Sequence, residues 1–355
     1  MEINGQEGLQ NSENKNNDSR SLTYSPPIIL KAGSHLLTLI FLGLAVHLIL
    51  PQITSFEESI QVIRTMALWA VLLAGISEII SYIGYSYLIN SVLAITNQHI
   101  STLKGAGIAL AASSMGMLAG GTLGNAAATY RWVRKSGVSR EGSGLAGTLP
   151  TMFNNAILIL LSTVGIVYLL LVHELSSTQF YIFLMFLTLL SLSALTIIWG
   201  RKHRKKFKAR AGKVAAFFSR IGNRTYNPAP VEDFVNRFFA ALDVLHKGGW
   251  QRPALSAIFS ISLDMLTLYF FFIAAGHPVR LSILLVGYGL PILLGKMAFL
   301  IPGGVGVVES TMAALYTGLG VPGPIVVVVI LSYRMFSFWI PTIIGFPIAY
   351  YLKKV

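Results

Sequence analysis

The chain contains no cysteine, which excludes disulfides, thiolate metal centres and thiol nucleophiles while leaving the redox compartment open. Charge is scarce as well: 12% of residues are Asp, Glu, Lys or Arg, where soluble domains carry about 25%. With 54% hydrophobic residues and a mean hydropathy of +0.66, such a chain cannot close as a soluble globule. It reads as an all-α polytopic membrane protein. Nucleophile-elbow, phosphate-loop and zincin patterns are missing, and the glycine runs lack the spacing of a dinucleotide fingerprint. The histidines His35, His47, His99, His173 and His277 are scattered, so no metal site is expected. Taken together, these absences lead us to expect no cofactor, no metal and no enzymatic activity.

Acidic residues are outnumbered, 14 against 27 Lys and Arg, and the resulting +13 is uneven. Between residues 201 and 252 lie thirteen Lys or Arg against Glu232, Asp233 and Asp243. This basic segment follows an apolar run directly, as the positive-inside rule predicts for a cytoplasmic loop. Contact with anionic lipid head groups explains it better than a nucleic-acid partner. Within it, Val231, Phe234, Val235, Phe238, Ala241, Leu242 and Leu245 recur at helical spacing, which predicts an amphipathic helix over 231–247. The first residues, 1–28, are polar, lack the apolar centre of a signal peptide and read as a disordered tail ahead of a membrane domain over 29–355.

Apolar windows at 29–50, 66–93, 144–172, 180–200, 253–275 and 323–352 are each long enough for a full span. Two more windows, 103–128 and 281–319, are interrupted by glycine. Gly120-Gly121, fifteen residues, then Gly137-Val138-Ser139 is echoed by Gly303-Gly304, fifteen residues, then Gly320-Val321-Pro322. Loop charge decides their topology. If 103–128 crossed fully, Arg131, Arg134, Lys135 and Arg140 would lie outside, whereas a hairpin that breaks and returns keeps them inside. The expectation is therefore six spans plus two re-entrant helical hairpins in an inverted-topology repeat, 29–172 and 179–355, with both termini cytoplasmic. The alternative is eight plain transmembrane helices with one basic loop misplaced.

Ionisable side chains at membrane depth cost roughly 2.5–3.5 kcal/mol each on insertion scales, so each needs a reason. Glu78 and Asp264 lie in apolar windows at approximately corresponding places of the two halves, and Asn154 and Asn155 stand where the second half has Arg334. Lys296 and Glu309 flank the second break. Buried charges need partners, and Glu309 with Lys296 or Arg334 is the economical pairing. These residues bridge helices, or Arg334 grips a phosphate with Glu309 positioning it. Glycine amides freed at Gly120, Gly121, Gly303 and Gly304 would add anion-binding dipoles. Arg131, just past the first hairpin, either collects anionic head groups or only sets topology. The candidate binding residues are thus Arg334, Glu309, Lys296, Gly303, Gly304, Gly120, Gly121, Arg131 and Asn154, with Glu78 and Asp264 balancing charge.

The segment from Ile301 to Pro322, continued by 330–352, resembles the C-terminal signature of the lysylphosphatidylglycerol synthase transmembrane region, a flippase-like membrane domain. Residues 120–140 resemble that family's first-half signature. The resemblance covers about Leu30 to the C-terminus. In full-length synthases such a domain precedes a soluble aminoacyl-transferase domain, and with the chain ending at Val355 the resemblance implies translocation rather than lipid synthesis. It implies phospholipids as partners, with a separate lipid-modifying synthase as a further candidate. Expected is movement of an anionic or aminoacylated phospholipid, or a related lipid phosphate, across the cytoplasmic membrane. The rival is a membrane transferase acting on a lipid-linked sugar or amino acid. Ala119 stands where the second break has Pro302, so the first hairpin is expected to be less sharply broken.

Overall fold

A computed structural model describes residues 56–118, 121–172, 177–221, 249–297 and 302–354, with a few positions between 228 and 243. The polar tail, the window at 29–50 and most of the helix expected over 231–247 lie outside the described residues, as does Gly120. What is described is all-helical. The helices are α1 (Phe56–Thr65), α2 (Leu68–Leu93), α3 (Thr102–Leu118), α4 (Thr122–Lys135), α5 (Arg140–Val172), α6 (Ser177–Lys202) and α7 (Arg204–Ile221). After the basic segment come α8 (Gln251–Ala274), α9 (Leu281–Met297), α10 (Val307–Gly318), α11 (Gly323–Arg334) and α12 (Ile340–Lys354). A π-helical turn, Met335–Trp339, joins α11 to α12. Four stretches among the described residues are long and apolar enough to cross a bilayer: Leu68–Thr96, Arg140–Leu171, Gln251–Ala274 and Gly323–Lys354. The protein is therefore a multi-pass membrane protein, and the two glycine-broken windows are helix pairs rather than single helices.

The same backbone punctuation recurs in both halves. The chain turns left-handed at Asn97 and Gly276 just beyond α2 and α8, at Gly121 and Gly304 in the two breaks, and at Gly137 and Gly320 beyond α4 and α10. The hydrogen bonds recur too. Gly137 N–H donates to Arg134 O and Gly320 N–H to Thr317 O, while Gln98 N–H donates to Leu93 O and His277 N–H to Phe272 O. These are helix C-caps in which a left-handed residue lets the chain fold back onto the last turn's carbonyls. Val138 and Val321, one residue past the second of those caps, are both buried. Residues between α9 and α10 outnumber those between α3 and α4, so the second break is longer, with a 3-10 turn at Pro302–Gly304.

Packing follows the same scheme. α2 crosses α8 antiparallel, fixed by two reciprocal bonds: Ser81 Oγ donates to Ser260 O and Ser260 Oγ to Ser81 O, both at 3.0 Å. Further along, Thr267 Oγ1 donates to Ala74 O at 3.3 Å. The first arm of each helix pair packs on the last span of the other half, α3 on α12 and α9 on α5. Small residues allow that approach. A Cβ on Gly345 would meet Ser114 Oγ and Leu110 O, and one on Gly289 would meet Ser162 Oγ.

Each helix pair returns to the end it left. Ser139, beyond α4, donates through both its N–H (3.2 Å) and its hydroxyl (2.8 Å) to Gln98 Oε1, ahead of α3. Lys135 Nζ, at the end of α4, donates to Lys353 O at 2.9 Å, so the basic ends of α4 and α12 share one end of the bundle. In the second pair, a Cβ on Gly287 would strike the Tyr316 ring and one on Gly295 would strike Val308, which sets α9 and α10 antiparallel. Buried apolar side chains from α2, α5, α8, α9, α10 and α11 form the main core around these contacts.

Candidate functional site

The two breaks meet at one cavity of about 320 Å3. Gly121, Gly303 and Gly304 line it, together with Glu78 from α2, Asn154 from α5, Asp264 from α8, Lys296 from α9 and Arg334 from α11. Helices α3 and α12 add Ser113 and Thr342. Residues that lie far apart in the chain, on nine of the described helices and both breaks, thus reach one space.

Arg334 is 8% exposed and held from three directions. Its Nε donates to Glu309 Oε1 at 2.5 Å, its Nη2 to Gly303 O at 3.3 Å, and its guanidinium carbon sits 4.3 Å from the centre of the Phe338 ring. Glu309 is fully engaged in turn, since its Oε2 accepts the Gly306 N–H at 2.6 Å at the start of α10. That carboxylate therefore stabilises the positive end of α10 and neutralises Arg334 in the same place. It is not among the cavity-lining residues and stands behind the guanidinium. Of the five guanidinium donors, two are used and the Nη1 pair has no protein partner among the described residues.

A second cluster lies across the cavity. Asp264 accepts from Tyr288 Oη at 2.7 Å through Oδ2 and from Tyr333 Oη at 3.0 Å through Oδ1. Lys296 Nζ donates to Asn155 Oδ1 at 3.0 Å. Two polar atoms in this region, Glu78 Oε2 and Asn154 Oδ1, are buried without a hydrogen-bond partner. At the mouth of the first break, α4 begins at Gly121 with no side-chain cap, so its first amides lie at the cavity edge.

Of the residues expected from sequence, the structure brings Arg334, Lys296, Gly303, Gly304, Gly121, Asn154, Glu78 and Asp264 to this cavity, with Glu309 immediately behind. Arg131 is not brought there: it lies exposed on the outer face of α4. Ser81 and Ser260 bond reciprocally across α2 and α8, and Glu78 precedes the one while Asp264 follows the other, so the two carboxyls face each other at the crossing. Thr151 follows Gly121 at the same spacing as Arg334 follows Gly304, and it lines the cavity too. The tyrosines were missed. Tyr288 sits between Gly287 and Gly289, and glycines flanking a polar aromatic in an apolar run were the available signal.

The pattern of the lysylphosphatidylglycerol synthase TM region matches residues 37–345, most of the chain, and the protein belongs to that family. Among curated proteins it is similar to a UPF0104 membrane protein of Pyrococcus horikoshii, 34% identical over 27% of this chain and 29% of the relative. A UPF0104 membrane protein of Methanothermobacter thermautotrophicus is 36% identical over 26% of this chain and 29% of its own length. The chain thus matches under a third of the length of these relatives.

Proposed function

We propose that the protein moves a lipid bearing a phosphate, an anionic or aminoacylated phospholipid or a related lipid phosphate, between the leaflets of the cytoplasmic membrane. The observation that carries this reading is Arg334. A buried guanidinium immobilised by Glu309, Gly303 O and Phe338 keeps its Nη1 donors for a guest, and a planar two-donor edge matches a phosphate. Uncapped amides at the start of α4 add positive potential from the opposite break.

The membrane arrangement that suits this role is six spans and two re-entrant hairpins in an inverted-topology repeat. Four observations support it: the antiparallel, reciprocally bonded α2–α8 crossing, the matched caps, the exchanged packing of first arms, and the return of each pair to its starting end. Helices of 17, 14, 17 and 12 residues in the two pairs are also shorter than the roughly 20 residues a crossing needs. With the basic ends of α4, α6 and α12 cytoplasmic, both termini face inward. Lys296 and Asn154 flank the phosphate site, and Glu78 and Asp264 balance its charge. Phospholipids are the direct partners, and a separate lipid synthase would supply a modified one.

The test is a transbilayer assay with labelled lipids in proteoliposomes, comparing wild type with Arg334→Ala and Glu309→Gln. Loss of lipid movement in both variants is expected. Equal rates in all three would remove the site. Mass spectrometry of the recovered lipid separates the rival reading, because a transferase leaves a covalently altered lipid and a translocase does not.

A further inference from the structure

The Glu78–Asp264 pair occupies the crossing of α2 and α8, one turn from the reciprocal Ser81–Ser260 bonds. Both oxygens of Asp264 accept tyrosine hydroxyls, from Tyr288 and Tyr333. Glu78 is 7% exposed, and its Oε2 is sealed from solvent with no hydrogen-bond partner. Glu78 lies between Ala74 and Ser81 on α2, and Asp264 between Ser260 and Thr267 on α8; those flanking residues bond across the crossing, so the two carboxyls face each other there. A buried carboxylate oxygen without a donor carries a heavy penalty in an apolar interior, and a proton held between the two carboxyls would remove it.

The surrounding charges say which residue holds it. From α2 the pair is faced by Tyr82 and Tyr85, from α9 by Tyr288 and Lys296, and from α11 by Tyr333 and Arg334; α3 and α5 contribute the neutral Ser113 and Asn154. Arg334 is matched by Glu309, and Lys296 attracts Asp264. Asp264, with two hydroxyl donors and a neighbouring ammonium, is the anion, and Glu78 is the carboxyl left without a cation. We propose that Glu78 binds a proton, donates it as a hydrogen bond to Asp264, and that this proton is the coupling ion of the transport cycle. The coupling half of this inference rests on the lipid-translocation reading; the proton site itself does not.

The cycle balances simply. The O–H bond of Glu78 breaks, the proton passes to the cavity that both residues line, and nothing is oxidised or reduced. Two carboxylates then face each other across the α2–α8 crossing, and their repulsion favours a second arrangement of the two halves. Rebinding a proton restores the packing seen here. Sodium is a poor substitute, because Asp264 already accepts two hydroxyls and Lys296 stands beside it.

Two measurements on the purified full chain decide the matter. Infrared spectroscopy at neutral pH should show the C=O stretch of a protonated carboxyl in wild type, lost in Glu78→Gln and shifted in Asp264→Asn, which keeps the site but weakens the acceptor. No such band in wild type, or an unchanged band in Glu78→Gln, overturns the proton site. In proteoliposomes containing fluorescent phosphatidylglycerol, an imposed pH gradient should shift lipid sidedness by up to about tenfold per pH unit for one proton per lipid, and Glu78→Gln should abolish the response. A shift driven by a sodium gradient and not by pH overturns the coupling. Absence of lipid movement under any gradient refutes the translocation reading and the coupling with it, while the infrared band still decides the site.

Discussion

The two helix pairs share a backbone and differ in chemistry. In the first, α3 and α4 join at a short break where Gly121 takes φ +66° with open space around it. In the second, α9 and α10 join through a longer turn whose Gly304 takes φ +62° while pressed against the backbone of Gly295. Among the described residues the first pair shows no buried ion pair, and no proline stands at its tip in the sequence. The second has Pro302, Lys296 and the Arg334–Glu309 pair clustered around it. A duplicated scaffold can therefore keep its geometry through glycine caps and small-residue contacts while one copy alone acquires the charged groups.

The largest effect expected from breaking this comparison comes at Glu309. Glu309→Ala strands a buried guanidinium and should cost roughly 3–5 kcal/mol, seen as a lower unfolding temperature in detergent. Ala126 occupies the corresponding place in the first pair, and Ala126→Ser there should cost under about 1 kcal/mol. A cost for Ala126→Ser equal to that of Glu309→Ala would mean that the charge asymmetry has no energetic weight. Next come the break glycines. Gly304→Ala combines a left-handed backbone with overpacking against Gly295 and should cost about 2–4 kcal/mol, whereas Gly121→Ala meets open space and should cost about 1–2 kcal/mol.

The smallest effects test the repeat itself. Asn97 and Gly276 occupy equivalent caps, so Gly276→Asn should be tolerated within about 1 kcal/mol while Gly276→Val should cost more, because a β-branched residue resists φ +72°. If Gly276→Asn is as damaging as Gly276→Val, the two caps are not equivalent. Lys135→Met removes the exposed donor to the last carbonyls of α12 and should cost no more than about 1 kcal/mol, read as faster hydrogen exchange confined to the last turns of that helix.

Much of this was legible beforehand. Apolar windows fixed α2, α5, α6, α8 and the α11–α12 stretch, because a bilayer-length run leaves a helix few alternatives. The paired glycines located both breaks, since a left-handed residue inside an apolar helix has few substitutes. The Glu309–Arg334 pairing was also accessible, as a lone charge in such sequence needs a partner. Less was readable about which uncharged polar residues line the cavity, such as Thr151, which follows Gly121 at the same spacing as Arg334 follows Gly304. Tyr288 and Tyr333 were hidden because a tyrosine in a membrane window is as often an interfacial anchor as a buried donor.

Composition and pattern, then, determined that this is a helical multi-pass protein of the lysylphosphatidylglycerol synthase TM region family, broken twice and charged at a few internal positions. Those properties follow from local rules, the solvation of backbone and the cost of charge in hydrocarbon, and local rules are written residue by residue. Tertiary structure decided which partner each polar group takes: Glu309 meets Arg334 and not Lys296, Asp264 meets two tyrosines, and Glu78 faces Asp264 across the α2–α8 crossing. Such encounters depend on how separate helices settle against each other, and small side chains such as Ser81, Ser260, Gly289 and Gly345 set those distances without leaving any periodic mark in the chain.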